Sequence, residues 1–236
     1  MKELPNPETY EQEYKYMPWG KLIAEVIDTV VKEAPQHGSI LDLMCGTGYM
    51  LGEISRRRDD LWISGVDINK EFISAAKNSR SLHHAYVNLD CDNALYWKND
   101  SKYNIVTCTA GLHHLSYESQ TPFLKSIPDR MRPNGIFICA DPMIDDFSSE
   151  KVRKIASAKL GYEYLLATVN AGAPDAIIKA ALDVLHNDVM GFEYKTSVKK
   201  LEPMLREIFS DVKTTKTWPD KESEYGDYYF ICRNSK

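Results

Sequence analysis

The chain has 236 residues, of which 43% are hydrophobic and 27% charged, a balance typical of globular proteins and unlike that of collagenous or disordered chains. Its 29 basic and 34 acidic residues give a net charge of −5, which argues against a protein that holds nucleic acid through bulk positive charge. No apolar run approaches the roughly 20 residues that span a bilayer, and residues 1–16 are too polar and acidic for a secretion signal or a transit peptide.

Helices and strands alternate through the first 140 residues. Apolar residues recur at helical spacing over residues 16–34, and the apolar strand 39–43 then runs into a glycine-containing turn at 44–48. Further strands are predicted at 61–68, 86–89, 103–110 and 136–140, with helices at 49–57, 70–78 and 120–131. Because each strand is a nearly continuous apolar run, the pattern predicts a doubly wound α/β fold with a parallel sheet covered on both faces.

The alternation stops after Asp141-Pro142. Two helical segments follow at 148–170 and 174–187, and then a helix at 197–209. The last two strands, 212–218 and 228–232, are predicted to form an antiparallel hairpin. We expect one domain over residues 1–236, with residues 143–195 as a helical insertion.

The cysteines are odd in number, scattered and without a Cys-x-x-Cys pair. Most of them lie in or beside apolar, strand-like runs, where a reduced and buried thiol is the usual state. We therefore expect a soluble, cytoplasmic protein. The five are Cys45, Cys91, Cys108, Cys139 and Cys232.

The main chemical signal is the run Asp42-Leu43-Met44-Cys45-Gly46-Thr47-Gly48 between a strand and a helix. Glycines let the backbone turn sharply there and approach a ligand closely, and a helix N-terminus offers free N–H groups. Asp67 ends the second strand, where a carboxylate can accept both hydroxyls of a ribose. Two ligands fit these residues: a nicotinamide dinucleotide, or an adenosine compound without phosphates.

Five motifs in order resemble those of the class I S-adenosylmethionine (SAM)-dependent methyltransferases. They are residues 40–48, Asp67, Asn88-Leu89-Asp90-Cys91, Thr109-Ala110-Gly111-Leu112-His113-His114-Leu115 and Arg132-Pro133-Asn134-Gly135. The resemblance covers residues 16–142 and resumes at 197–232. It implies a Rossmann-like seven-stranded sheet, with the seventh strand inserted antiparallel. Met44 departs from the pattern, since it replaces the family's usual glycine.

The resemblance also implies a SAM site, with S-adenosylhomocysteine as the product. Asp67 would hold the ribose, the turn glycines would lie against the methionine part, and Asp42 would orient its ammonium group. Asp90 would accept from the adenine amino group, with Asp92 as the alternative. The implied cofactor residues are Asp42, Cys45, Gly46, Gly48, Asp67, Ile68, Asp90, Cys91, Thr109 and Ala110.

Two histidines follow the fourth strand, at the edge where donor and acceptor should meet. Histidine titrates near neutral pH, so His114 is a candidate base or substrate-orienting group, with His113 as a second candidate. In related enzymes an N-terminal tyrosine sometimes pairs with this histidine, a role that Tyr16 or Trp19 could take. We predict no metal site.

The insertion lies where small-molecule methyltransferases of this class carry a helical lid, which would exclude water and order the acceptor. A small-molecule acceptor is expected, rather than a nucleic acid or a membrane, with methyl transfer to O or N left open. Acceptor identity and oligomeric state cannot be read from the sequence. The candidate substrate residues are Trp19, Asp141, Tyr162, His186 and Tyr194, and other lid residues that could face the site are Tyr164, Asn170, Asp188 and Glu193.

Three other functions fit parts of the sequence. Residues 195–218 faintly resemble the carboxy-SAM synthases, which modify SAM itself. Gly46-Thr47-Gly48 followed by Gly52 is compatible with an NAD(P)-dependent oxidoreductase, against which stand the histidine pair and the terminal hairpin. A binding protein that has lost the chemistry is the last alternative, although both glycines, Asp67, Asp90 and a histidine are present.

Overall fold

The computed structural model describes residues 7–83 and 86–236. Of the acidic N-terminal stretch, residues 1–6 therefore lie outside the described part. The helices are α1 Pro7–Tyr16, α2 Trp19–Glu33, α3 Tyr49–Arg57, α4 Lys70–Asn78, α5 Tyr117–Lys125, α6 Glu150–Asn170, α7 Asp175–Met190 and α8 Val198–Ile208. The strands are β1 Ser39–Leu43, β2 Trp62–Asp67, β3 Val87–Cys91, β4 Tyr103–Thr109, β5 Met131–Met143, β6 Phe209–Trp218 and β7 Gly226–Ser235.

The strands form one seven-stranded sheet in the order β3-β2-β1-β4-β5-β7-β6. Strands β1 to β5 are parallel, and β7 pairs antiparallel with both β5 and β6. The prediction of a doubly wound sheet with an inserted antiparallel strand is confirmed. Because β1 and β4 are neighbours although β2 and β3 lie between them in the chain, the strand order reverses there. Open α/β sheets bind ligands at such a position.

Two apolar layers cover the faces of the sheet. On one face, α2 packs over β5 to β7 and α3 over β2, with Leu22, Val26 and Leu51 fully buried. On the other face, α5 and α8 cover β4 to β7 around Phe137, Phe209 and Phe230. Burial of such side chains on both faces explains why the strands are apolar without alternation.

Several element boundaries differ from the prediction. The helix expected over 16–34 is α2, which begins at Trp19 because the chain turns at Met17 and Pro18, and α1 precedes it as a helix that was not predicted. Residues 132–135, expected to lie between a helix and a strand, form a bulge inside β5, where Asn134 has a φ of 60° and the register with β4 shifts. The helix before it ends at Lys125, since Pro128 starts a short 3₁₀ turn.

Helices α6 and α7 form an antiparallel hairpin between β5 and α8, as predicted for the insertion. The hairpin is attached to the sheet through Tyr164, whose hydroxyl donates to Asp227 at the start of β7. Among the described residues, no helix has the length and apolar character to cross a membrane.

Replacing Gly48 with alanine is expected to destabilise the protein by about 1–3 kcal/mol, because the new Cβ is forced into a left-handed conformation and into its neighbours. Gly48 has a φ of 73°, and a Cβ there would lie 2.9 Å from Leu82 Cδ1 and 3.0 Å from Ala76 Cβ. Gly172 is the matched control, since its φ is 71° and a Cβ would meet nothing within 4 Å. Urea unfolding should show a larger loss of unfolding free energy for Gly48→Ala than for Gly172→Ala. Equal losses would contradict the expected steric clash at Gly48.

Candidate active site

A cavity of about 650 Å³ opens at the carboxyl edge of the sheet, between the strand ends and the α6–α7 hairpin. Its position is the one predicted for the ligand, at the reversal of strand order. The strand edge contributes Met44, Asp67, Ile68, Asn69, Asn93, Ala94 and Ala110, and the histidine region contributes His113, His114 and Leu115. Helices and the chain around them contribute Tyr10, Glu13, Trp19, Tyr164, Lys179, Asp183, Asp188, Glu193 and Lys195.

The glycine turn and Asp67 are joined by hydrogen bonds. The backbone N–H of Gly46 donates to Asp67 Oδ2 at 2.8 Å, and that of Asn69 donates to Oδ1 at 2.8 Å. Gly46 and Gly48 both have positive φ, and so does Met44, whose φ is 64°. Asp67 thus fixes the turn and also lines the cavity, where a carboxylate with about four acceptor sites has two left for a ligand.

Asp42 lies beneath the turn and is almost completely buried. Thr107 Oγ1 donates to Asp42 Oδ1 at 2.7 Å. Burial raises the pKa of Asp42 to about 7, although the Thr107 hydrogen bond opposes the shift. Cys45 is buried beside it, and burial raises the pKa of its thiol well above the usual value. A cation close to Asp42 would therefore favour the ionised form of its carboxyl group.

The raised pKa of Asp42 predicts a specific pH dependence of stability. Because the folded-state pKa lies above the ordinary value of 3.8, the stabilisation is complete below about pH 4 and is lost as the pH rises through about 7. Relative to Asp42→Asn, the wild type should lose up to about 1.4 kcal/mol per pH unit in that window. Urea unfolding at several pH values measures this, and a difference that stays constant from pH 4 to 7 would contradict it.

The carboxylates predicted for adenine do not line the cavity. Asp90 Oδ2 accepts from Trp97 Nε1 at 3.1 Å, and Asp92 Oδ1 accepts from the backbone N–H of Asn93. Cys91 is exposed beside them. Asn93 and Ala94, which the sequence reasoning missed, occupy the lining instead, because the chain curves back towards the sheet edge after β3.

At the end of β4, Ala110 lines the cavity and Thr109 lies behind it. Ala110 has a φ of 51°, and its N–H donates to Ala140 O at 2.7 Å. Thr109 Oγ1 is buried and finds no hydrogen-bond partner in the described part of the chain. Of these two predicted residues, Ala110 therefore lines the cavity and Thr109 does not.

The two histidines are each held by a different carboxylate. His113 Nδ1 lies 2.7 Å from Asp141 Oδ1, and the backbone N–H of His113 donates to Asp141 Oδ2 at 3.0 Å. His114 Nδ1 lies 2.8 Å from Glu193 Oε2. Since an ionised carboxylate only accepts hydrogen bonds, the Nδ1 atoms are assigned as the donors. Asp141, predicted to form a wall of the site, therefore acts from behind His113.

The segment after α7 brings a buried ion pair to the same region. Lys195 Nζ donates to Asp188 Oδ1, and both residues are nearly inaccessible, at 4% and 1% exposure. Asp188 Oδ2 is buried without a hydrogen-bond partner among residues 7–83 and 86–236. Burial raises the pKa of Glu193, but its hydrogen bond to His114 and the nearby positive groups outweigh this and hold the pKa well below its usual range.

Other predicted residues lie elsewhere. Tyr162 is 60% exposed, on the face of α6 opposite Leu160, Gly161 and Tyr164, and His186 packs beside Phe192 on the outside of α7.

Tyr16 packs with Met17 and Ile177, away from the histidines. Tyr194 contacts Tyr117 edge to face, while its backbone N–H donates to His113 O at 2.7 Å. Trp19 does line the cavity, with Nε1 buried and unpartnered among the residues described.

Glu13 is a cavity residue that the sequence reasoning missed. It is 5% exposed, and burial raises its pKa to about 8. Its signal in the sequence is its spacing, because Tyr10, Glu13 and Met17 fall on one face of a helix and all three line the cavity. A single acidic residue among aromatic and apolar positions at this spacing indicates a buried carboxyl group.

One segment of the sequence, which runs from β1 into β5, matches a known domain family. Residues 40–135 match the family described as a methyltransferase domain. Among curated proteins, the carboxy-S-adenosyl-L-methionine synthase of Campylobacter lari is 28% identical over 127 residues, which cover 52% of this chain and 51% of that protein. The chain thus spans about half the length of the curated relatives it matches.

Solved structures show the same fold at low identity. The N-methyltransferase NodS from Bradyrhizobium japonicum, in complex with S-adenosylhomocysteine, has a TM-score of 0.60 at 9% identity, with 90% of this chain and 85% of that chain covered. The plantazolicin methyltransferase BpumL, in complex with a triazolic desmethylPZN analog and S-adenosylhomocysteine, has a TM-score of 0.62 at 14% identity, with 97% and 88% covered.

Proposed function

The chain has the fold and the methyltransferase domain of the class I SAM-dependent methyltransferases, and we propose that it transfers a methyl group from SAM to an oxygen or nitrogen atom of a small molecule. The observation that carries the proposal is the connection of Gly46 to Asp67 at the cavity edge. In this connection a turn with positive φ lies beside a carboxylate where the strand order reverses, and this supports a ribose-binding role for Asp67.

The residues at this edge fit a ligand with positive charge and hydroxyl groups. Asp67 offers acceptor sites to the ribose, and Asp42 lies beneath the turn where the ammonium of the methionine part would be neutralised. Ala110 borders the same space, with Ile68, Asn93 and Ala94 beside it. A sulfonium suits this carboxylate-rich edge better than a pyrophosphate does.

The α6–α7 hairpin, together with Glu13, Met17 and Trp19, closes the far side of the cavity. We propose that residues 143–195 act as a lid within a single domain over residues 1–236, so that the acceptor is a small molecule. When bound, SAM supplies a methyl carbon already activated by its sulfonium. The protein then has to align the acceptor in line with that carbon, exclude water and remove the acceptor's proton, a role for the histidine pair.

The curated relatives favour a second candidate, modification of SAM itself. The stretch similar to carboxy-SAM synthases covers 52% of this chain, with Campylobacter lari as the example. Such an enzyme would use the same cofactor edge, so the Gly46–Asp67 connection does not separate the two activities. The mass of the nucleoside product does.

The test is incubation of the full chain with SAM bearing an isotope-labelled methyl group and pools of small phenols, amines and acids, followed by mass spectrometry. Labelled methyl on an acceptor, with S-adenosylhomocysteine formed in equal amount, supports the proposal. A heavier SAM derivative supports the second candidate. Calorimetry with SAM, S-adenosylhomocysteine and NADH comes first, because binding of NADH alone would overturn both.

A further inference from the structure

Three side chains meet at the acceptor end of the cavity with their donor atoms turned towards one another. Donor atoms of His113, His114 and Glu193 all lie within 4.8 Å of each other. Glu193 Oε2 is 2.8 Å from His114 Nδ1 and 3.9 Å from His113 Nε2. All three residues line the cavity, so the space between them is continuous with the acceptor space.

The orientation of His113 is fixed from behind. Asp141 accepts two hydrogen bonds from His113, one from the ring Nδ1–H and one from the backbone N–H. The other ring nitrogen, Nε2, is thereby left with its lone pair on the side of Glu193. A carboxylate that holds the far nitrogen of a histidine is the arrangement usual behind metal-ligating imidazoles, where it fixes the tautomer and raises the basicity of the ring.

The donor set selects a class of ion. Two imidazole nitrogens and one carboxylate oxygen suit zinc and the divalent first-row transition ions, whereas Mg²⁺ and Ca²⁺ prefer sets of oxygen ligands. Three protein ligands leave positions open, as in catalytic rather than structural sites. Here the open positions would face the cavity.

We propose that His113 Nε2, His114 Nδ1 and Glu193 bind a divalent first-row transition ion whose open positions take an oxygen or nitrogen donor of the methyl acceptor. Metal bonds of about 2.0–2.2 Å in a tetrahedral site place two ligand atoms about 3.4 Å apart, so the 3.9 Å pair would close and the 2.8 Å pair would open, each by roughly 0.5 Å. Because Nδ1 carries the proton in the ion-free protein, ion binding at Nδ1 shifts the proton of the neutral His114 ring to Nε2 by exchange with solvent. His114 is then an orienting ligand, and the ion lowers the pKa of the acceptor group. This last role rests on the proposed function, whereas the ion site does not.

The experiment uses the full chain after chelator treatment, titrated with Zn²⁺ and with Co²⁺. We expect one ion per chain and visible absorption bands of bound Co²⁺. His113→Ala, His114→Ala and Glu193→Gln should each weaken Zn²⁺ binding at least about tenfold. His186→Ala, on the outside of α7, is the matched control and should bind as the wild type does.

Circular dichroism and thermal unfolding show whether each variant is folded, and Glu193→Gln keeps the shape of the side chain where the alanine variants do not. Absence of binding to the wild type, or equal binding by His186→Ala and the three ligand variants, would overturn the ion site. Binding of S-adenosylhomocysteine is measured on the same samples. Retained cofactor binding without an ion rejects this inference alone, while an ion without cofactor binding rejects the proposed function alone.

Discussion

Asp67→Ala is expected to weaken binding of S-adenosylhomocysteine roughly 10- to 100-fold, because a carboxylate that accepts from two ribose hydroxyls contributes hydrogen bonds worth about 1.5–3 kcal/mol. The substitution also removes the acceptor of the Gly46 and Asn69 N–H groups, so the turn loses its fixed shape. Both effects act on the cofactor end of the cavity. Calorimetric titration of each protein with S-adenosylhomocysteine measures the change.

Two further variants separate these effects. Asp67→Asn keeps one acceptor oxygen and the side-chain shape, so its loss should lie between wild type and Asp67→Ala. Asp59→Ala removes an exposed aspartate that precedes the opposite end of β2 and should bind the ligand as the wild type does. Unchanged affinity in a folded Asp67→Ala protein would contradict the ribose role.

Lys195→Met is expected to destabilise the protein by about 3–5 kcal/mol, since it leaves the buried carboxylate of Asp188 without its cation. Burial alone lowers the pKa of Lys195, but the carboxylates of Asp188 and Glu193 raise it by more, so the ammonium stays charged. Unfolding in urea measures the loss.

Removing both charges tests the origin of that loss. The double variant Asp188→Asn with Lys195→Met should recover much of the stability that each single variant loses, because no unpaired buried charge remains. Lys199→Met provides the matched control, since Lys199 pairs with Glu224 on the surface and its loss should leave the stability close to that of the wild type. A cost below about 1 kcal/mol for Lys195→Met would contradict a charged pair.

The sheet and its cofactor edge could be predicted from sequence because their signals are local. The strands at β1 and β2 are continuous apolar runs, and the glycine turn and Asp67 stand directly at strand ends, so strand pairing alone brings them together. The bulge at Asn134 could not be predicted, because a residue with positive φ inside a strand depends on the register with β4.

The arrangement at the acceptor end could not be predicted from the sequence, because it depends on contacts between segments that are far apart in the chain. The sequence shows the two histidines, but not that Asp141 holds one and Glu193 the other, because these pairs are 28 and 79 residues apart. The choice of candidate substrate residues in α6 and α7 was wrong for a different reason. Ile155, Leu166 and Val169 are apolar yet exposed, so the pattern in α6 does not show which face carries residues such as Tyr162.

The position of β7 has a consequence for how the molecule is made. Strands β3-β2-β1-β4-β5 are all translated before residue 144, whereas β7, which lies between β5 and β6, comes from residues 226–235. Domains form from the N-terminus during synthesis, so a nascent chain can assemble the cofactor edge while the border of β5 still has unpaired backbone groups. Such a ribosome-bound intermediate would also lack Glu193 and Lys195. Synthesis of residues 193–195 therefore adds the acceptor wall, and the later pairing of β7 with β5 covers the exposed border of the sheet.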